Sequence, residues 1–452
     1  MNRPNSNSES WQRPTLGRAR APRRPSLAVL LVALAGVGRA MAQPSVSAPP
    51  RQNQQAAPPL NIDLTIAMAI AERSAPELAV PEAERKSVPL LRDAAGRFIH
   101  RPPRVAVSMG PRRLAGGAQL GWDVTAGVFQ EFSTGGYGKQ LEGFASAFER
   151  RANATLASTQ REARVRAGLA WVDARLARET LALRLQALEG ARETVRVADA
   201  RAQVGKSSPA EAALARALMG SIEASVLAAQ GDITISDAEL RYSCHIELHR
   251  PLALTGPFDV QVRPIDEQSI RQHVLERAPE LARARAEADA LSHAAELGRA
   301  ASKPHIEIGP SVTREGTGDW MFLGNISVPL PGVDPYATEN AMRRSEADMA
   351  RARVTVAEYG ALKEVEIALH EREHALEVRE SLRHGSIEPS TQAVREYQLQ
   401  YEVGRIDLTT LLAARRELLN AQERWAAAAA DVLRAEVKLM RWSVTTERSR
   451  AR

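Results

Sequence analysis

The chain has 452 residues, of which 44% are hydrophobic, 4% aromatic and 25% charged, with one cysteine and a formal charge of +6. These values exclude a disulfide scaffold, a polytopic helical membrane protein and a wholly disordered chain. Seven arginines and one glutamate within residues 1–42 account for the whole charge surplus, so the balanced remainder gives no reason to expect a nucleic-acid partner.

Residues 1–42 read as a secretory signal. Arginines extend to Arg23 and Arg24, an apolar stretch covers 27–38, and Ala40-Met41-Ala42 supplies a cleavage site before Gln43. The apolar stretch is shorter than the roughly 20 residues a membrane-spanning helix needs. Arg23-Arg24 is followed directly by a proline and fits the twin-arginine pattern poorly. No cysteine stands at the cleavage point. The expected product is exported, unlipidated and free of a helical membrane span, with residues 43–59 as a flexible lead-in and 444–452 as a polar tail.

The next segments occur twice. Glu72-Arg73-Ser74-Ala75-Pro76-Glu77-Leu78 returns, one residue shorter, as Glu276-Arg277-Ala278-Pro279-Glu280-Leu281. Val204-Gly205-Lys206 returns as Val403-Gly404-Arg405, and the strand ending at Phe132 before Gly135-Gly136-Tyr137 corresponds to one ending at Leu330 before Asp334-Pro335-Tyr336. Three echoes in one order predict two copies, 60–255 and 266–443, each running helix, two strands, long helices.

The strands alternate with period two. Leu120, Trp122, Val124, Ala126 and Val128 share a face opposite Asp123 and Thr125. In the second copy Ile306, Ile308, Pro310 and Val312 alternate with His305, Glu307, Ser311 and Thr313, and after Gly316-Thr317-Gly318-Asp319 the period continues through Trp320, Phe322, Ile326 and Val328. Such strands suit either a tilted membrane barrel or a soluble hairpin with one wet face. Trp122, Phe132, Trp320 and Phe322 are candidate membrane-interface aromatics, packing between strands being the alternative.

The helices carry heptads. Leu411, Leu418, Trp425, Val432 and Leu439 fall at seven-residue steps, with Ala414, Ala421, Ala428, Ala435 and Trp442 three residues after each. Leu169, Leu176, Leu183, Val197 and Val204 keep the same step, with Gly190 as a gap. Alternating large and alanine layers predict close, left-handed supercoiled packing. Helices are expected over 141–204 and 338–403, the second kinked near Gly385 and Pro389. Four strands cannot close a membrane barrel, and open edges in lipid leave backbone groups unpaired. Three chains would supply twelve.

Together these features resemble the TolC-like outer-membrane efflux proteins. The most specific match is Tyr401-Glu402-Val403-Gly404-Arg405-Ile406-Asp407-Leu408 followed by Leu411-Leu412-Ala413-Ala414-Arg415-Arg416, which looks like the signature of the periplasmic tip of the second repeat. The Pro-Glu-Leu segments and the strand end Val328-Pro329-Leu330-Pro331 also look like family features. The resemblance implies a mainly α chain with a small membrane β part, and a homotrimer with a 12-stranded barrel in outer-membrane lipid above a periplasmic α-barrel. It implies a non-enzymatic, cofactor-free conduit taking cargo from an inner-membrane pump through a periplasmic adaptor protein. The CzcC-like metal-efflux branch shares the proline-leucine strand end and the missing lipid anchor, which makes metal cations the preferred cargo over drugs. Competing roles are a type I secretion conduit and a soluble periplasmic coiled-coil scaffold.

Adaptor docking or gating falls to the two tips: Gly205, Lys206 and Ser207 in the first copy, and Gly404, Arg405, Asp407 and Leu408 in the second. The first tip continues Ser207-Ser208-Pro209 and lacks the Asp-Leu of the second. A glycine between two long periodic segments lets the chain leave one helix and reverse, and Asp407 is placed to cap the next. Other motifs are discounted. His370-Glu371-Arg372-Glu373-His374 matches a zinc-protease helix, yet lies in a Glu/Arg-rich helix without an assigned third ligand. Cys244-His245 with His249 is a thin metal constellation against a buried thiol. Gly205-Lys206-Ser207 lacks the earlier glycine of a phosphate loop, Ala200 standing there.

Overall fold

The computed structural model describes residues 58–113, 120–260, 264–329 and 336–442. The expected signal, the lead-in up to residue 57, the polar tail, and Leu330, Pro331, Asp334 and Pro335 of the strand-end comparison lie outside the described residues.

Both halves open on the same device. β1 (Leu60–Ile62) leads into α1 (Leu64–Ser74), whose N-terminus is capped by Asp63 Oδ1 accepting from the Ile66 amide at 2.7 Å. A single 3₁₀ turn, Pro76–Leu78, joins α1 to α2 (Ala79–Ala95). In the second half α5 (Glu267–Arg277) stops at Ala278, and α6 (Pro279–Ala301) begins on the proline. Proline disfavours helical backbone in the residue before it, so both helices end at an alanine, Ala75 or Ala278. The following leucines, Leu78 and Leu281, are buried. Glu77 accepts from Arg166, and Glu280 lies 3.1 Å from Arg441. Pro-Glu-Leu therefore breaks a helix, buries a leucine and presents a carboxylate to a distant arginine.

Four strands form one antiparallel sheet: β2 (Arg104–Arg113), β3 (Leu120–Ser133), β5 (His305–Arg314) and β6 (Trp320–Ser327), in the order β2-β3-β5-β6. The central pair joins the two halves of the chain, and β2 and β6 are its edges. A second sheet of two short parallel strands pairs β1 with β4 (Leu252–Leu254). Three-residue strands show no readable period, which is why alternation did not announce them.

The helices exceed what a compact domain needs. α3 (Tyr137–Gln203) has 67 residues, about 100 Å at 1.5 Å per residue. It reverses into α4 (Pro209–Cys244). α7 (Ala337–Leu382) runs through a π-helical turn, Arg383–Ile387, into α8 (Glu388–Glu402), which reverses into α9 (Leu408–Leu439). Near Gly385 and Pro389, where a kink is expected, the chain stays helical and widens. Pro389 lacks the amide an α-turn would use, and a wider turn leaves room for its ring.

The second-copy heptad supplies core positions, whereas in the first copy Leu169, Leu176, Leu183 and Val197 are half-buried and Val204 is exposed. Leu411, Val432 and Leu439 are buried with Ala421, Ala428 and Ala435, on the helix that packs against both α3 and α7. Three clusters result. One gathers α1, α3, α4 and α9 around Trp171, whose Nε1 donates to the Ile62 carbonyl at 3.1 Å. A second joins α5 and α6 to α7 around Val274, Leu281 and Val365, with Trp442 included. The third sits where the two long hairpins turn.

Candidate functional site

The two hairpin turns are built alike. At the first, Gly205 takes φ +72°, its amide donates to the Ala202 carbonyl at 3.0 Å, and the Lys206 amide donates to Arg201 at 2.9 Å. At the second, Gly404 takes φ +81°, its amide donates to Tyr401 at 3.0 Å, and the Arg405 amide donates to Gln400 at 2.8 Å. Both are left-handed glycine caps that satisfy the last helix carbonyls. Each following helix is then capped by a side chain, Ser208 for α4 and Asp407 for α9. Hydrogen bonds from Thr409 and Thr410 hold the Asp407 carboxyl below its usual range.

Gly205, Lys206, Gly404, Arg405 and Asp407 are exposed together at this end, with Ser207 half-buried. Leu408 departs from the expected docking role. It is 1% exposed and packs with Tyr401, Leu411, Ala198, Ala212 and Ala215 into the core between the hairpins. The link between the two turns was missed: the Arg201 guanidinium lies 4.6 Å from the Tyr401 ring centroid and donates to the Tyr401 carbonyl. Tyr401 stood in the quoted signature, whereas nothing in the local pattern marked Arg201 as its partner.

The sheet separates two chemistries by face. Opposed pairs place Val105 beside Val128, Val107 beside Ala126, Met109 beside Val124, Val312 beside Phe322 and Ile308 beside Ile326. Register puts Trp122, Phe132 and Trp320 on this same apolar face. Trp122, Trp320 and Phe322 are 60–80% exposed. Trp122 and Trp320 lie near the β5–β6 turn and Phe132 near the helices. Ten residues between Trp122 and Phe132 span about 34 Å of strand, or about 26 Å of height at a barrel tilt near 40°.

The opposite face is mainly polar and internally paired, with Phe129, Met321 and Leu323 also on it. Arg104 bridges Glu307 at 2.7 Å, Arg101 bridges Glu131 at 2.9 Å, and Arg112 bridges Glu315 at 2.9 Å. Thr125 meets Thr313 at 2.8 Å, and Asn325 donates to Ser311 at 2.8 Å. An exposed apolar face behind an ion-paired polar face is the reverse of a soluble sheet, which hides its apolar side.

The discounted motifs sit as their chemistry requires. His370 and His374 are exposed on α7, and Glu371 is bonded to Lys438 at 2.6 Å. Cys244 is buried, its thiol pushed up to about 11 by burial, while His245 caps α4 and contacts the Ser74 carbonyl at 3.0 Å and His249 is exposed. Among the described residues no cluster of three or more His, Cys, Asp or Glu side chains is placed to hold a metal.

The family model described as outer membrane efflux protein matches residues 270–443. This part of the chain is similar to that family. The chain has no match among curated proteins. Its fold is similar to that of the Campylobacter jejuni CmeC outer membrane channel, with TM-score 0.69, 15% identity and 84% of each chain covered. It is also similar to the outer-membrane channel OprN, with TM-score 0.64, 18% identity, and 84% of this chain and 89% of that one covered. The outer membrane protein VceC from Vibrio cholerae aligns at TM-score 0.62 and 16% identity over 83% of this chain and 95% of its own. The fold is thus TolC-like.

Proposed function

We propose that this chain is an outer-membrane efflux protein, that three copies share one 12-stranded barrel, and that the trimer is a passive exit duct fed by an inner-membrane pump through a periplasmic adaptor. The observation that carries this reading is the sheet itself. Its apolar face needs lipid, its polar face suits a water-filled lumen, and its edge strands β2 and β6 need partners that one chain does not supply. Edge pairing of β2 with the next copy's β6 keeps every pair antiparallel.

The helices support the same closure. α2 packs on α3, α3 on α6 and α6 on α7, which repeats the order of the strands. Both outer members carry exposed apolar residues at helical spacing: Met342, Met349 and Val356 on α7, and Val80 and Leu90 on α2. Nearer the tips, α4 presents Leu227, Ile235 and Tyr242. This helix is long and apolar enough to cross a membrane by composition, yet it is antiparallel to α3 and starts at the polar tip, so a neighbouring copy is the better cover.

The matching order of elements supports a duplicated chain, 60–255 and 266–443. At the tips, Gly205, Lys206, Ser207, Gly404, Arg405 and Asp407 are the proposed adaptor-docking or gating groups, with Leu408 positioning them from beneath. Trp122, Trp320 and Phe322 would meet the outer lipid interface and Phe132 the inner one. The subunit performs no chemistry of its own, and the pump selects cargo. The resemblance to the CzcC-like branch makes metal cations the cargo to test first.

The edge pairing is tested by Val107→Cys on β2 combined in turn with cysteines along Phe322–Ser327 on β6. At least one combination is expected to give oxidised dimers and trimers in the outer-membrane fraction. No crosslink in any register contradicts the shared barrel. Loss of metal tolerance on deleting the chain, restored by re-expression, supports metal cargo, and unchanged tolerance removes it.

A further inference from the structure

A cavity lies between the α3–α4 hairpin and the α8–α9 hairpin, away from the exposed tip residues. Its volume is about 510 Å³, and its walls combine Leu218, Ile222 and Leu419 with Thr194, Ser225 and Asn420. Charge on the wall is one-sided: Arg184, Arg415 and Arg416 against Glu423 alone. Glu423 is already taken by Arg184 at 2.8 Å.

Arg415 is the unusual group. It is half-buried at the gap in the α3 heptad, where one guanidinium nitrogen donates to the Gly190 carbonyl and the other to Gln398 Oε1 at 3.1 Å. Its Nε is buried with no acceptor among the described residues, and no carboxylate lies within ion-pair distance. Glu193, the carboxylate that acts on it, is engaged by Arg196 at 2.5 Å. A half-buried cation held by neutral carbonyls retains strong attraction for an anion in a site of reduced dielectric.

We propose that this cavity binds a small amphiphilic monoanion, a carboxylate on an aromatic or acyl body, with its charge on Arg415 and its body against Leu218, Ile222 and Leu419. The volume is in the range of small-molecule sites, and apolar walls with one convergent charged group fit that class of ligand. A bound molecule would bridge α3, α4 and α9 and tie the two hairpins together. This inference rests on the geometry within one chain and is independent of the cargo and of the shared barrel.

The test uses the full-length protein in neutral-lipid nanodiscs without free detergent, titrated with naphthoate and with its uncharged isostere naphthamide, empty nanodiscs serving as reference. The wild type is expected to bind naphthoate at one site per chain and at least tenfold more tightly than naphthamide, and Arg415→Gln is expected to abolish that preference while leaving naphthamide affinity unchanged. Equal affinity for acid and amide in the wild type, a comparison that needs no variant, overturns the proposal. Undiminished naphthoate binding by a folded Arg415→Gln protein overturns it as well.

Discussion

Tyr401 shows how one side chain sets the tip. Its ring is 1% exposed between the two turns, Arg201 lies over it, and its hydroxyl is buried without a partner among the described residues. Burying an unpaired hydroxyl costs about 1–3 kcal/mol, so Tyr401→Phe is expected to leave stability unchanged or raise it. Tyr401→Ala empties the site and is expected to cost about 3–5 kcal/mol, read from the unfolding midpoint. Gly404→Ala forces a side chain into left-handed backbone and is expected to cost about 1–2 kcal/mol, with faster amide exchange confined to the tip. Cys244, with its thiol raised to about 11 by burial, is expected to resist maleimide at neutral pH and to react once the fold opens. Comparable labelling of the native and unfolded protein contradicts that burial.

At the scale of elements, the sheet and the helices differ in what the sequence disclosed. Period-two alternation placed Trp122 with Val124 in one strand and Trp320 with Phe322 in another, because strand side chains alternate strictly, while only the register shows that they share a face; glycine spacing placed both turns because a left-handed cap has one favoured residue. Leu408 was misread because its neighbours Arg405 and Asp407 are polar, and only the opposing hairpin turns it into core. Arg201 and Arg415 were invisible for the same reason, since their partners come from the other half of the chain. The face assignment is tested by Val128→Arg, on the apolar face between Trp122 and Phe132, expected to cost about 2–4 kcal/mol per chain and to reduce outer-membrane assembly, against Thr313→Arg on the polar face, expected to be tolerated. Equal tolerance of both contradicts the faces assigned here.

The π turn carries its own prediction. His384 sits 3.0 Å from Glu388 and 2.9 Å from Glu380, and its bonds to Glu388 and then Glu380 raise its pKa above the ordinary imidazole value. A raised folded pKa gives stability that is complete below the unfolded value near ~6.5 and is lost as pH rises through the folded one. Amides of 383–387 are therefore expected to exchange faster at mildly alkaline than at mildly acidic pH, beyond the intrinsic rate change. His384→Gln is expected to remove the difference, and its persistence in that variant assigns the effect elsewhere.

At the scale of the whole molecule, the exposed apolar surfaces fall at the margins and on one sheet face. β2 and β6 bound the sheet, α2 and α7 bound the adjoining helices, and α4 is a margin nearer the tips. Under the proposed trimer, these margins are the surfaces that copies rotated about one axis would cover. The most direct measurement is the mass of the protein extracted by mild detergent from a fractionated envelope. A trimer in the outer-membrane fraction is the result this account predicts. A monomer in the soluble periplasmic fraction would contradict it, and would leave the sheet's apolar face to be covered by something other than lipid.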